Sequence, residues 1–160
     1  MRKIFLIVTL TALFLFNGCG YKNGFAFFSK DKPYEKAISY TKKGEIVVSM
    51  ENKAFIIATY LNPIYKRYED GDYFFVRVYI SNDFEDDKKN GLLNPKYHLL
   101  LNDQEPTMIK ELSREDILTK EMPMVKPWYK IYLVKFPKDS GVKKLHFKSD
   151  DYGQTVLIFQ

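Results

Sequence analysis

Three kinds of chemistry have raw material in this chain. In "NDFEDDKKNG", Asp83, Glu85 and Asp87 alternate as the ligands of a calcium loop do. An EF-hand then needs glycine at its sixth position and glutamate at its twelfth. Those places hold Lys88 and Asn94, and the neighbouring lysines offset the acidic charge. The stretch reads as a solvated loop, and so does "YEDGD", with Glu69, Asp70 and Asp72 around Gly71. No metal site is expected. Nucleophilic catalysis needs a base beside a hydroxyl or thiol, and a third group to orient the base. The two histidines, His98 and His146, both fall on the polar side of strand-like segments. His146 sits between Lys144 and Lys148 at strand spacing, as part of a basic outer face. Paired carboxylates for glycoside hydrolysis could come from Glu111, Glu115, Asp116 and Glu121. Acids at a helix start have a simpler account in the helix dipole. There is no Gly-rich phosphate loop and no G-x-S-x-G. The expectation is a protein without catalytic residues and without a cofactor.

What remains is aromatic. The chain has 12 Tyr and 13 Phe. In "YFFVRVYI", Phe74, Val76, Val78 and Ile80 alternate with Tyr73, Phe75, Arg77 and Tyr79. The first set carries no polar side-chain atom and is the better core. The second, if exposed, is rich in the residue types that dominate interfaces. Tyr73, Phe75, Arg77 and Tyr79 are therefore candidate partner-binding residues, unless a helix or long loops cover them. Trp128, the single tryptophan, is a further candidate, for a glycan surface.

The N-terminus gives an address. Met1-Arg2-Lys3 is followed over residues 4–16 by an uncharged apolar run broken by Thr9 and Thr11. This pattern fits a secretory signal. About 13 apolar residues fall short of the roughly 20 that span a bilayer. The one cysteine of the chain follows, in Phe16-Asn17-Gly18-Cys19. This stretch resembles the lipobox of bacterial lipoproteins, which signal peptidase II cuts before a lipidated cysteine. Gly18 matches the small residue before the cut. Leu15 shifts the usual leucine by one place, and Asn17 departs from the usual small residue. The resemblance covers residues 1–20 and implies diacylglyceryl and amide-linked acyl chains on Cys19. Gly20, which is not aspartate, implies sorting to the outer membrane, facing the periplasm, under the family's rule. Two or three acyl chains hold a protein firmly where one holds it reversibly.

On this reading residues 1–18 are a signal peptide. Residues 19–32 are the lipidated cysteine and a tether, in which Phe25, Phe27 and Phe28 can dip into the lipid interface or fold back. Residues 33–160 form one domain. Removing Arg2 and Lys3 lowers the formal charge from +5 to +3. That is compatible with anionic envelope surfaces and too weak to argue for nucleic acid. With Cys19 acylated no thiol is left, so the fold must rest on its core.

Seven segments read as strands: "EIVVSM", "KAFIIATY", "YFFVRVYI", "YHLLLN", "WYKIYLVKF", "KKLHFKS" and "TVLIFQ". Asn62-Pro63, Asp70-Gly71, Asn90-Gly91, Asn94-Pro95 and Gly141 punctuate them. Pro33 opens a short helix with Tyr34, Ala37, Ile38 and Thr41 on one face. A second helix over residues 114–120 is expected, capped by Ser113, with Leu112 and Ile117 as a hydrophobic staple. The pattern predicts an all-β protein, an immunoglobulin-like β-sandwich of about seven strands with one or two short helices. The functional expectation is a non-enzymatic, lipid-anchored envelope module that binds a protein or another envelope component. The alternative is a glycan- or peptidoglycan-binding module. An envelope hydrolase is the third and least favoured reading.

Overall fold

Alternation decides most of the architecture. In a computed structural model, which describes residues 32–160 other than 84 and 87, eight strands and two short helices follow one another. They are α1 (Lys32–Ser39), β1 (Thr41–Val48), β2 (Glu51–Tyr60), β3 (Asp72–Ile80), β4 (Tyr97–Leu101), β5 (Met108–Glu111), α2 (Ile117–Glu121), β6 (Lys130–Phe136), β7 (Lys143–Ser149) and β8 (Gly153–Phe159). The strands form two antiparallel sheets, one of five in the order β1-β2-β3-β6-β5 and one of three in the order β4-β7-β8. Pro33–Gln160 forms one compact unit.

One core lies where the sheets meet. Phe74, Val76, Val78 and Ile80 of β3 are fully buried there, with Ile56 and Ala58 of β2 and Val134 and Phe136 of β6. The smaller sheet supplies Leu99, Leu101, Leu145, Phe147, Leu157 and Phe159. Its other face carries His98, Leu100, Lys144, His146 and Lys148, as alternation along β4 and β7 requires. Gly44 lets β1 approach β8: a Cβ there would lie 2.7 Å from Thr155 Oγ1.

A buried ion pair joins the sheets. Lys143 Nζ of β7 lies 3.0 Å from Asp72 Oδ2 of β3, and both residues are buried. The Tyr60 hydroxyl donates to Asp72 Oδ1 at 2.7 Å, and the Asp139 N–H donates to Oδ2 at 2.9 Å. Lys143 Nζ also donates to the Asp139 carbonyl. Burial and this bond push the Tyr60 phenol far above its ordinary range.

Several expectations need correction. The first strand ends at Val48, because Ser49 and Met50 turn the chain with φ of 51° and 65°. Positive φ at both central residues is the requirement of a two-residue type I′ hairpin. Met50 stands 97% exposed at that apex. An eighth strand, β5, pairs with β6. The segment around Trp128 is strand only from Lys130. Thr41 belongs to β1 rather than to the first helix, whose buried contact is Ala37.

The second helix starts at Ile117, not at residue 114, and Ser113 does not cap it. Ser113 Oγ instead accepts from the Glu115 N–H, and Asp116 Oδ2 accepts from the Ser113 N–H at 2.6 Å. These groups close a turn of their own, so the helix begins three residues later than expected. Ile117 is 75% exposed, so no staple forms with Leu112.

Candidate functional site

The aromatic-arginine stripe of β3 does not form a free surface. Phe75 and Arg77 are fully buried, and Tyr73 and Tyr79 are half-buried. A second core covers this face, built from Ala37 of α1, Leu61, Leu118 and Met122 around Phe75 and Ile131. Ile64, Tyr65, Tyr68 and Tyr73 pack against it. Asn62 organises the covering loop. Its amide donates to the carbonyls of Tyr68 and Gly71, and its Oδ1 accepts from the Tyr73 N–H at 2.8 Å. Arg77 was a partner-contact candidate only if this face stayed open, and long-range acceptors reach it inside. Nε donates to the Ile57 carbonyl at 3.3 Å, Nη1 to the Pro123 carbonyl and Nη2 to Thr59 Oγ1 at 2.6 Å.

The chain of bonds continues in one direction. Thr59 accepts from Arg77, so its own proton is left for Thr41 Oγ1, 2.7 Å away. Thr41 in turn donates to the Ala37 carbonyl at 2.6 Å. Arg77 thereby ties together β2, β1, α1 and the segment before β6. The guanidinium lies 4.9 Å from the Phe75 ring centre. Burial pushes its pKa down to about 9, with Tyr129 working the other way.

Three of the sequence candidates do meet: Tyr79, Trp128 and the carboxylate candidate Glu111. Tyr79, from the end of β3, and Trp128, just before β6, line one groove of about 430 Å³ with Glu111, Arg114, Tyr129 and Lys130. Local structure explains how. The β5–β6 pairing sets Glu111 opposite Tyr132, and the Leu112 N–H extends it by donating to the Ile131 carbonyl at 2.8 Å. The β3–β6 register places Val78 opposite Lys130. The segment carrying Trp128 is held by Arg114, whose Nη1 donates to the Lys126 carbonyl at 3.1 Å and whose Nη2 donates to the Pro127 carbonyl. The Tyr129 N–H closes a turn onto the Lys126 carbonyl at 3.2 Å. At the groove's edge the Asn90-Gly91 loop presses on Tyr132; a Cβ at Gly91 would sit 2.0 Å from its hydroxyl oxygen.

Trp128 is 59% exposed. Its ring centre lies 6.1 Å from that of Tyr129, with the planes tilted by 54°. Glu111 Oε1 and Lys130 Nζ lie 3.4 Å apart. The groove therefore offers aromatic faces, a serine hydroxyl at Ser113, a carboxylate and two cations. Sequence reasoning missed Arg114, Tyr129 and Lys130 as site residues. The available signal was "PWYK", in which a proline precedes two adjacent aromatics and argues for a loop.

The other chemical candidates stay apart. Glu115 pairs with Lys120, Glu121 accepts from the Tyr65 hydroxyl, and Asp116 closes the Ser113 turn. Burial and the bond to Glu121 push the Tyr65 phenol well up. His98 Nε2 lies 3.0 Å from Asp150 Oδ1 in an exposed pair, and the register sets His98 opposite Lys148 and His146 opposite Leu100. Asp83 accepts from the Asn94 amide; Asp87 and Cys19 lie outside the described residues. Among the described residues no group of three or more His, Cys, Asp or Glu is placed to hold a metal ion, and no helix is long and apolar enough to cross a membrane. No protein-family model, curated protein or solved structure matches the chain.

Proposed function

We propose that this chain is a lipid-anchored, non-enzymatic binding module of the bacterial cell envelope, held at the periplasmic face of the outer membrane through Cys19, and that its ligand is an envelope polysaccharide bound in the Trp128 groove. The anchor rests on the N-terminal pattern and the position of the single cysteine. Cys19→Ala is expected to abolish incorporation of labelled fatty acid and to leave the signal uncleaved. A variant still labelled, or a mature N-terminus away from Cys19, overturns the anchor.

We read the domain as an immunoglobulin-like sandwich. Strands β2-β3-β6-β5 and β4-β7-β8 follow the A-B-E-D and C-F-G order of that fold when β2 is taken as its first strand. Strand β1 is then an addition beside it. The fold leaves function open, and the site has to carry that reading.

The observation that carries it is the exposed Trp128 beside Tyr79 and Tyr129, with Glu111, Ser113, Arg114 and Lys130 within the same groove. Sugar rings present C–H faces that stack on aromatics, and hydroxyls that need both donors and acceptors. Burial of Phe75 and Arg77 removes the flat stripe on which a protein partner was expected. Trp128 is the one tryptophan, so intrinsic fluorescence reports on this groove without labelling. Soluble peptidoglycan fragments are expected to shift that emission saturably. Tyr129→Ala, read by the same emission, and Trp128→Ala, read by calorimetry, are each expected to weaken binding by roughly tenfold or more, about 1.4 kcal/mol. Neither should move the melting temperature appreciably. Fragments that leave both emission and heat unchanged refute the glycan reading.

A further inference from the structure

The outer face of the three-stranded sheet has a composition its fold does not explain. Its outward positions include His98 on β4, Lys144, His146 and Lys148 on β7, and Val156 and Ile158 on β8. None of the outward positions on the three strands is acidic. The nearby carboxylates are engaged at the edge, Asp150 with His98 and Asp151 with Lys96. Lys144 and Lys148 have no carboxylate partner among the described residues. Cross-strand register sets Lys144 opposite Ile158 and His146 opposite Val156. Val156 is 39% exposed and Ile158 50%. Cations and bare aliphatic side chains therefore alternate across one surface.

We infer that this face lies on the membrane, with Lys144 and Lys148 against anionic lipid headgroups and Val156 and Ile158 at the acyl boundary. The choice of a lipid surface over a soluble polyanion rests on the aliphatic pair, which a hydrated polyanion gives no reason to expose. It rests as well on the proposed anchor at Cys19, which keeps a bilayer within reach. Residues 20–32 span at most about 45 Å when extended. Ile158 also borders a groove with Ser39, Tyr40 and Lys42, where α1 passes into β1. A basic side chain at an anionic leaflet contributes roughly fivefold in partition, over about a Debye length. The groove at Trp128 belongs to the other sheet, so one face can bind lipid while the other binds its ligand.

The test compares full chains carrying Cys19→Ala, with and without Lys144→Glu/Lys148→Glu, on sedimenting vesicles. One vesicle is pure phosphatidylcholine and the other holds 30% phosphatidylglycerol. Arg2, Lys3 and the apolar leader are the same in both chains and cancel. Partition onto the anionic vesicle relative to the neutral one is expected to fall at least tenfold in the charge-reversed chain. The excess of the parent chain is expected to vanish in 0.5 M salt. Val156→Ser/Ile158→Ser is expected to lower binding to the anionic vesicle about threefold or more. Circular dichroism establishes that each variant is folded. A ratio unmoved by charge reversal in a folded variant overturns the inference. So does polyphosphate binding that needs the lysines but ignores the serine pair, which would make the occupant a soluble polyanion. Self-association lost with Lys144→Glu would make it a second copy of the chain. Because none of these chains is acylated, the outcome is separate from whether Cys19 carries the anchor.

Discussion

Lys143→Met is expected to cost the fold about 3–5 kcal/mol, the range found when one partner of a buried ion pair is removed. The methionine keeps the apolar stem and deletes the charge. Asp72 then stays buried with only the Tyr60 hydroxyl and the Asp139 N–H to hold its carboxylate. The loss falls on a joint, since Asp72 begins β3 in one sheet and Lys143 begins β7 in the other. A typical domain has only about 5–15 kcal/mol of stability, so the loss should be plain in a urea titration. The double variant Asp72→Asn/Lys143→Met removes both charges. The asparagine can still accept from the Asp139 N–H and donate to Tyr60. It is expected to lie closer to the parent than the single change does. A single variant within 1 kcal/mol of the parent would mean that water reaches the pair.

Arg77→Ala/Tyr79→Ala is the second large effect, with an expected loss of about 2–5 kcal/mol by analogy with large-to-small core changes. Most of it belongs to Arg77. Its removal takes a donor from the Pro123 and Ile57 carbonyls and leaves a cavity beneath the covering segment. Thr59 loses its donor, and the relay through Thr41 to α1 loses its first link. Arg77→Met fills most of the cavity and also relieves a buried charge, so it should cost less than Arg77→Ala. That order, measured by chemical unfolding, separates cavity from polar effects. Equal losses for methionine and alanine would assign the whole cost to the lost hydrogen bonds. A double variant that melts like the parent would contradict the burial of Phe75 and Arg77.

These residues also mark what local sequence can and cannot convey. Alternation in "YFFVRVYI" located β3 and its inner face, because the period is written in the chain itself. The same alternation placed Leu145 and Phe147 inside and Lys144 outside on β7. It set Arg77 on the opposite face but could not say whether that face was covered, since nothing nearby in sequence announces the carbonyls of Ile57 and Pro123. Strand β5 was invisible for a related reason. "MIKE" has two half-buried and two exposed residues, and its strand character comes from the edge that β6 offers it. The groove was legible only as unconnected residues, Tyr79 and Trp128 as binding candidates and Glu111 as a candidate carboxylate. Its other members arrive from the Ser113 turn and the start of β6, and only the sheet order brings them together.

The Ser49-Met50 apex carries a consequence for handling the molecule. Two side chains there hold positive φ where glycine or asparagine is usual, and Met50 touches almost nothing. The chain can be lengthened at that point without disturbing either core, as exposed loop tips generally allow. An epitope or a photoreactive residue spliced between β1 and β2 would ride on the edge of the larger sheet, at residues that line neither the groove nor the outward positions of the basic face. It offers a handle for recovering whatever this protein meets in the living cell, with neither proposed surface spent on the label.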